Sequence, residues 1–111
     1  MQRFLLSCRE TLHRPKIVIG NEAADLDSTI CALLYGYFTG IVPVMNTNMH
    51  NLGLRAEVQL LFDWLGITLS NVLYLDDISS VSEVILVDHH VPGKRFTAKG
   101  FDKFVVKIID H

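Results

Sequence analysis

The sequence predicts an α/β fold, a parallel sheet with helices on both faces, built as a single unit of 111 residues. Three observations carry this. Short β-branched runs (KIVIG, IVPVM, VILVD, VVKIID) alternate with longer segments of helical periodicity, which is the pattern of βαβ units with right-handed crossovers. The runs are apolar throughout rather than alternating, as strands covered on both faces are. Nearly every run is followed at once by polar, metal-ligating residue types, and in parallel sheets ligands collect beyond the carboxyl ends of the strands.

Taken in order, residues 2 to 13 carry Phe4, Leu5, Cys8 and Leu12 at near-helical spacing and predict an amphipathic helix closed by Arg14-Pro15. KIVIG is the first strand. From Ser28 to Phe38 the chain is almost wholly apolar and long enough for a buried helix, ended by Thr39-Gly40. The second strand is IVPVM, 41 to 45, where Pro43 suggests an edge or strand-start position. NTNMHNLG reads as a loop. In LRAEVQLLFDWLG, Leu54, Val58, Leu61 and Leu65 form a helical stripe and Gly66 is a natural C-cap. NVLYL is a short strand, DDISSVSE a polar stretch with a weak helical pattern, and HHVPGKRFTAKGFDK a loop between the last two strands. Trp64, Phe62, Tyr35, Tyr37 and Phe38 lie at helical spacing in apolar segments and are read as core.

Composition bounds the function. Half the residues are hydrophobic and the formal net charge is −2, so nothing global favours nucleic acid or a membrane surface. No apolar run reaches the roughly 18 residues of a membrane span, and the N-terminus is too short in apolar residues for a secretory signal. Cys8 and Cys31 suggest no disulfide framework. A cytoplasmic protein with no nucleic-acid and no membrane partner is expected. There is no G-x-G-x-x-G, P-loop or G-x-S-x-G, so dinucleotide, ATP-cradle and serine-hydrolase readings lack their motifs. The end of the chain, an apolar strand followed only by Asp110-His111, reads as a cut.

The polar residues at the strand ends carry the chemistry: Asn21, Asp25 and Asp27 after KIVIG, Asn46 after IVPVM, Asp88-His89-His90 after VILV, and Asp110-His111 after VVKII. Taken singly, Asp25, Asp27 or Ser28 reads as a cap on the following helix, and His89-His90 as a solvated turn. Together, carboxylates and imidazoles on neighbouring strand tips suit hard or borderline divalent cations. Without a nearby cysteine pair, structural zinc is disfavoured. Cys31 reads as core rather than nucleophile. Lys94, Arg95, Lys99 and Lys103 read either as a solvated face or as a collector of anionic substrate.

In this order and spacing, GNEAADLDS, VPVMN with LGLR, ILVDHH and IIDH resemble the DHH phosphoesterase superfamily, in its prune-like and exopolyphosphatase branch, related to the family II inorganic pyrophosphatases. The resemblance covers nearly the whole chain. It implies hydrolysis of phosphoanhydride bonds in pyrophosphate or short-chain polyphosphate through a site of two divalent cations, magnesium or manganese, and a bridging hydroxide. By position, it implies Asp25 on one metal, Asp27 on the other, Asp88 bridging both and His111 on the second. Asn21 stands where the pyrophosphatases carry a histidine ligand. His89 and His90 would assist beside the bridging aspartate by orienting it or moving a proton, and Arg55 would contact substrate phosphate. The family has a further ligand aspartate downstream and a substrate-closing second domain. The chain is therefore expected to be the N-terminal portion of a catalytic domain, residues 1–111, incomplete as a catalyst. Two alternatives remain open: an incomplete fragment acting on protein partners as a regulatory module, and a phosphodiesterase of the same superfamily.

Overall fold

The computed structural model describes residues 1–10, 12–87 and 93–109. Its elements, in chain order, are α1 (Gln2–Arg9), β1 (Lys16–Ile19), α2 (Leu26–Thr39), β2 (Val42–Met45), α3 (Met49–Gly53), α4 (Ala56–Leu65), β3 (Leu73–Tyr74), β4 (Glu83–Val87), α5 (Lys94–Ala98) and β5 (Val105–Ile109). Short 3-10 turns occupy Leu69–Asn71, Leu75–Asp77 and Phe101–Phe104. The five strands form one all-parallel sheet in the order β3-β2-β1-β4-β5. The predicted fold class holds.

The register sorts the strand side chains onto two faces. Val18, Met45, Ile85 and Val87 point to one, where they meet Leu5 of α1, Ala32 and Leu33 of α2, Leu52 of α3, and Val58 and Phe62 of α4. Ile17, Ile19, Val42, Val44, Val84 and Leu86 point to the other, under Ile78, Val81, Phe96 and Phe101. Burial on both faces is why these strands lack polar alternation. The two edges differ. β3 has two residues, whereas β5 has five and leaves Val106 60% and Ile108 55% exposed.

Several expected elements are corrected. The first helix ends at Arg9 instead of running to 13, since Glu10 closes it with backbone bonds to Ser7 and Cys8. The second strand begins at Val42, one residue late. Pro43 is tolerated because β3 reaches only Val44 and Met45, so no neighbour on that side requires its missing N–H. The helix predicted from Ser28 begins two residues earlier, at Leu26, and Gly40 caps it at φ 78°. The loop after β2 holds α3, started by the Asn48 side chain, which accepts from the Asn51 N–H at 2.8 Å. Leu54 precedes α4 and is 71% exposed. The stretch 76–83 is not α-helical, but Ile78 and Val81 plug the core. In the segment read as a loop between the last strands, Lys94–Ala98 forms α5.

Of the aromatic residues assigned to the core, Phe62 is buried and Tyr35 packs against the cluster that contains it, but Tyr37, Phe38 and Trp64 (84% exposed) face outward. Trp64 follows Phe62 by two residues, a rotation of about 200° on a helix, so burying one exposes the other. Arg9 makes a long-range clasp: its guanidinium donates to the carbonyls of Ser70 (2.7 Å), Val72 (2.9 Å) and Asn71 (3.3 Å), tying α1 to the chain entering β3.

Candidate functional site

In a parallel sheet the connecting helices run back from the carboxyl ends of the strands, so α2, which follows β1, starts at that rim. Loop 20–25, between β1 and α2, is held by an unusually complete set of bonds. The Asn21 N–H donates to Ser28 Oγ at 2.7 Å. Asn21 Oδ1 accepts from the Ala24 N–H at 3.0 Å, closing a turn in which Ala24 takes φ +48°. That conformation is costly for a residue with a Cβ, and Ala24 is also buried. Asp25 is the N-cap of α2; its Oδ1 accepts from the Ser28 N–H at 3.0 Å, and its carbonyl from the Thr29 N–H. Asp27 follows in the first turn, exposed.

Gly20 makes this possible. A Cβ there would land on Ser28 Oγ and lie 3.1 Å from the Ser28 carbonyl oxygen, so only glycine lets the buried hydroxyl approach and take the Asn21 N–H. Beside it, buried Asn46 donates from Nδ2 to the Gly20 carbonyl at 3.3 Å, while its Oδ1 has no hydrogen-bond partner among the described residues. Across the rim, the Glu22 side chain lies against Gly93, where a Cβ would collide with it.

The capping reading of Asp25 is thus correct as far as its Oδ1 goes. Asn21 and Asn46 share a small cleft at the ends of β1 and β2, Asp25 caps α2, and Asp27 borders the separate groove by the ends of β4 and β5. Arg55, the N-cap of α4, is half-buried and makes no side-chain cap bond. β4 lies between β1 and β5, so the three strands whose sequences lead into the expected ligands are adjacent. Asp88, His89, His90 and His111 fall outside the described residues. Among the described residues there is no group of three or more His, Cys, Asp or Glu able to hold a metal ion, so Asp25 and Asp27 do not form a complete ligand set by themselves.

The remaining candidates have other places. Arg95 pairs with Asp76 at 2.7 Å, and Lys99 donates to the Ile78 carbonyl at 2.8 Å and lies over the Phe101 ring. The basic cluster is largely spent on local bonds. Cys31 is half-buried and lines an apolar groove of about 750 Å³ between α2 and the ends of β4 and β5, with Asp27 at its border. Gly20 was not singled out in the sequence, and Asn46 and Ser28 were read only as a strand-end polar residue and a cap, without their bonds to Gly20 and Asn21. The available signal was the spacing of a glycine closing a strand and a serine eight residues on, inside the next helix turn.

No family model matches the chain. Among curated proteins, it aligns over its whole length with Exopolyphosphatase PRUNE1 from Homo sapiens at 31% identity, from Bos taurus at 30% and from Rattus norvegicus at 29%. The chain is thus similar over its whole length to proteins named exopolyphosphatase. It spans 28% of the length of these relatives. The resemblance carried by GNEAADLDS, ILVDHH and IIDH therefore holds along the full 111 residues. Among the described residues, no helix is long and apolar enough to cross a membrane.

Proposed function

We propose that the chain is part of a metal-dependent phosphohydrolase acting on the phosphoanhydride bonds of pyrophosphate or short-chain polyphosphate. One observation carries the reading most: the whole chain aligns with proteins named exopolyphosphatase, and its most elaborately bonded loop is the one bearing Asn21, Asp25 and Asp27. The donor set suits the group. Carboxylates and an amide oxygen are ligands of magnesium and manganese, and a histidine at 111 adds a nitrogen that manganese accepts.

In this reading Asp25 and Asp27 would each hold one divalent cation, Asp88 both, and His111 the second. The pair would supply charge neutralisation at the phosphoryl oxygens and an activated water at neutral pH. The chain's own residues do the rest. Loop 20–25 fixes the direction of the Asp25 carboxylate through its bond to the Ser28 N–H, which removes the need to order it when substrate arrives. Arg55 would orient a substrate phosphate, and His89 or His90 would hold or move a proton beside Asp88. Asn21, in place of an imidazole, would reduce the preference for manganese over magnesium.

The experiment is phosphate release from pyrophosphate and tripolyphosphate with Mg²⁺ or Mn²⁺, on this chain and on a form of the relatives' length. The longer form should turn over at about 1 s⁻¹ or more and the 111-residue chain far more slowly. Asp88→Ala should lower kcat of the longer form at least tenfold, about 1.4 kcal/mol of barrier. Metal-independent release, or an Asp88→Ala variant that keeps its rate, would overturn the reading.

A further inference from the structure

Helix α4 turns an apolar stripe to solvent. Ala56, Leu60 and Trp64 recur every four residues, so they span an arc of about 80° on the side away from buried Val58 and Phe62. Leu60 is 70% and Trp64 84% exposed. A tryptophan this open adds nothing to the core, and large apolar side chains gathered in one exposed patch mark contact surfaces. Charge frames the stripe. Glu57 lies about 20° beyond its Trp64 side and Asp63 about 20° beyond its Ala56 side. Both are exposed, and neither forms an ion pair among the described residues. The last turn of α4 holds no basic residue, so Asp63 stands against the negative end of the helix dipole, a local conflict of the kind that folding alone does not call for. Beside Asp63, a cleft of about 190 Å³ opens between α4 and the chain that follows it, lined by Phe62, Ile67 and Leu69. It is smaller than small-molecule sites, which run to about 300–1,000 Å³. It suits one long basic side chain, with the alkyl stem along the apolar lining and the charged head at Asp63.

We propose that this face of α4 docks an amphipathic helix of a partner protein whose apolar seam is bordered by arginine or lysine. The seam covers Leu60 and Trp64, and Ala56, with only a methyl group, admits close approach. A basic residue on each side of the seam meets Glu57 and Asp63, the latter from within the cleft. Arginine over the Trp64 ring adds a cation–π contact. The same charges disfavour other occupants. A second copy of the chain, paired antiparallel about Leu60, would set Glu57 of one copy beside Asp63 of the other, since each lies three residues from Leu60, and like charges so placed repel. The anionic surface of a membrane would meet the same carboxylates.

Trp64 is the chain's sole tryptophan, so its emission reports on this face alone. The probe is a synthetic helix of about five turns with a leucine seam and arginine on both flanks, unlabelled for Trp64 emission and dye-labelled for anisotropy. Its controls are the same composition in scrambled order and a version with glutamate in place of arginine. The basic helix should shift Trp64 emission to the blue and bind the 111-residue chain at least about tenfold more tightly than either control, with an affinity that falls as salt rises. Leu60→Asp and Trp64→Ala should each weaken binding at least about tenfold. Glu57→Lys combined with Asp63→Lys should weaken it about fivefold and abolish the salt dependence, and all these variants should melt within a few degrees of wild type. Binding no tighter than the scrambled peptide, an unshifted emission at about 1 mM probe, or an affinity unmoved by Leu60→Asp and Trp64→Ala would overturn the proposal. So would dimerisation that buries Trp64 in the absence of probe, seen in sedimentation and emission, which would assign the face to a second copy. So, too, would a form of the relatives' length that fails to bind the labelled probe, which would assign the face to a segment of the longer chain.

Discussion

Two helices of the chain, α2 and α4, are built differently. Both α2 and α4 end at a glycine in the left-handed region, Gly40 at φ 78° and Gly66 at φ 71°. Their starts have little in common. α2 begins at a carboxylate cap inside a loop locked by Gly20, Asn21, Ser28 and Asn46, with Ala24 held at positive φ. α4 begins at Arg55 with no side-chain cap at all. Since α4 folds without such a device, the loop before α2 carries more bonding than a helix start needs. The surplus serves the placement of its own polar groups, which is what a site requires and a connection does not.

The comparison can be broken first at its glycines. Gly20→Ala drives a Cβ onto Ser28, and we expect a loss of about 3 kcal/mol in urea unfolding. Gly66→Ala meets nothing within 4 Å and should cost only the left-handed conformation, about 1 kcal/mol. Equal losses would mean that the loop before α2 is no more constrained than the end of α4. On the α4 side the corresponding lock is Tyr74, whose hydroxyl donates to the Leu69 carbonyl at 2.7 Å. Burial, then the nearby Asp77 carboxylate, pushes the phenol from 10.0 up to about 12, with Arg9 pulling weakly the other way. The folded state thus keeps its proton where the unfolded chain loses it. This stabilisation is complete below pH 10 and is lost as pH rises through about 12. The melting temperature should fall across that window, and Tyr74→Phe should flatten the fall while costing about 1 kcal/mol at neutral pH.

Smaller effects sharpen the contrast. Asp25→Ala should cost about 1 kcal/mol as a lost cap, and Arg55→Ala no more than about 0.5 kcal/mol, both read from denaturant midpoints. In an active longer form the order reverses in kind: Arg55→Ala should raise KM with stability unchanged. The smallest change expected is Asn21→His, a shift in the Mn²⁺ to Mg²⁺ activity ratio toward manganese; an unaltered ratio would take Asn21 out of the cation's surroundings.

Much of the fold was legible because it is encoded locally. KIVI and VILV are strands on residue type alone, and Gly40 and Gly66 announce the helix ends. Short helices were not legible. Lys94–Ala98 has five residues, too few to show a period, and exists because Phe96 plugs the core. Phe38 and Trp64 misled because hydrophobicity gives no direction, and on a one-sided helix direction depends on what lies opposite. At the site, Asp25 and Asp27 were visible by their crowding. Asn46 showed only as a strand-end polar residue and Ser28 only as a cap, since their bonding depends on the Cβ missing at Gly20 and on a neighbouring strand 26 residues away.

The Arg9 clasp has a consequence for biosynthesis. Its acceptors lie 61 to 63 residues further along the chain. At about 5–20 residues per second of translation, α1 leaves the ribosome roughly 3–13 s before the carbonyls it holds. During that interval its apolar face, Leu5 and Cys8 among it, has no sheet to cover it. Helix α1 is therefore among the last of these elements to be secured, and it is a natural place for a chaperone to hold the nascent chain.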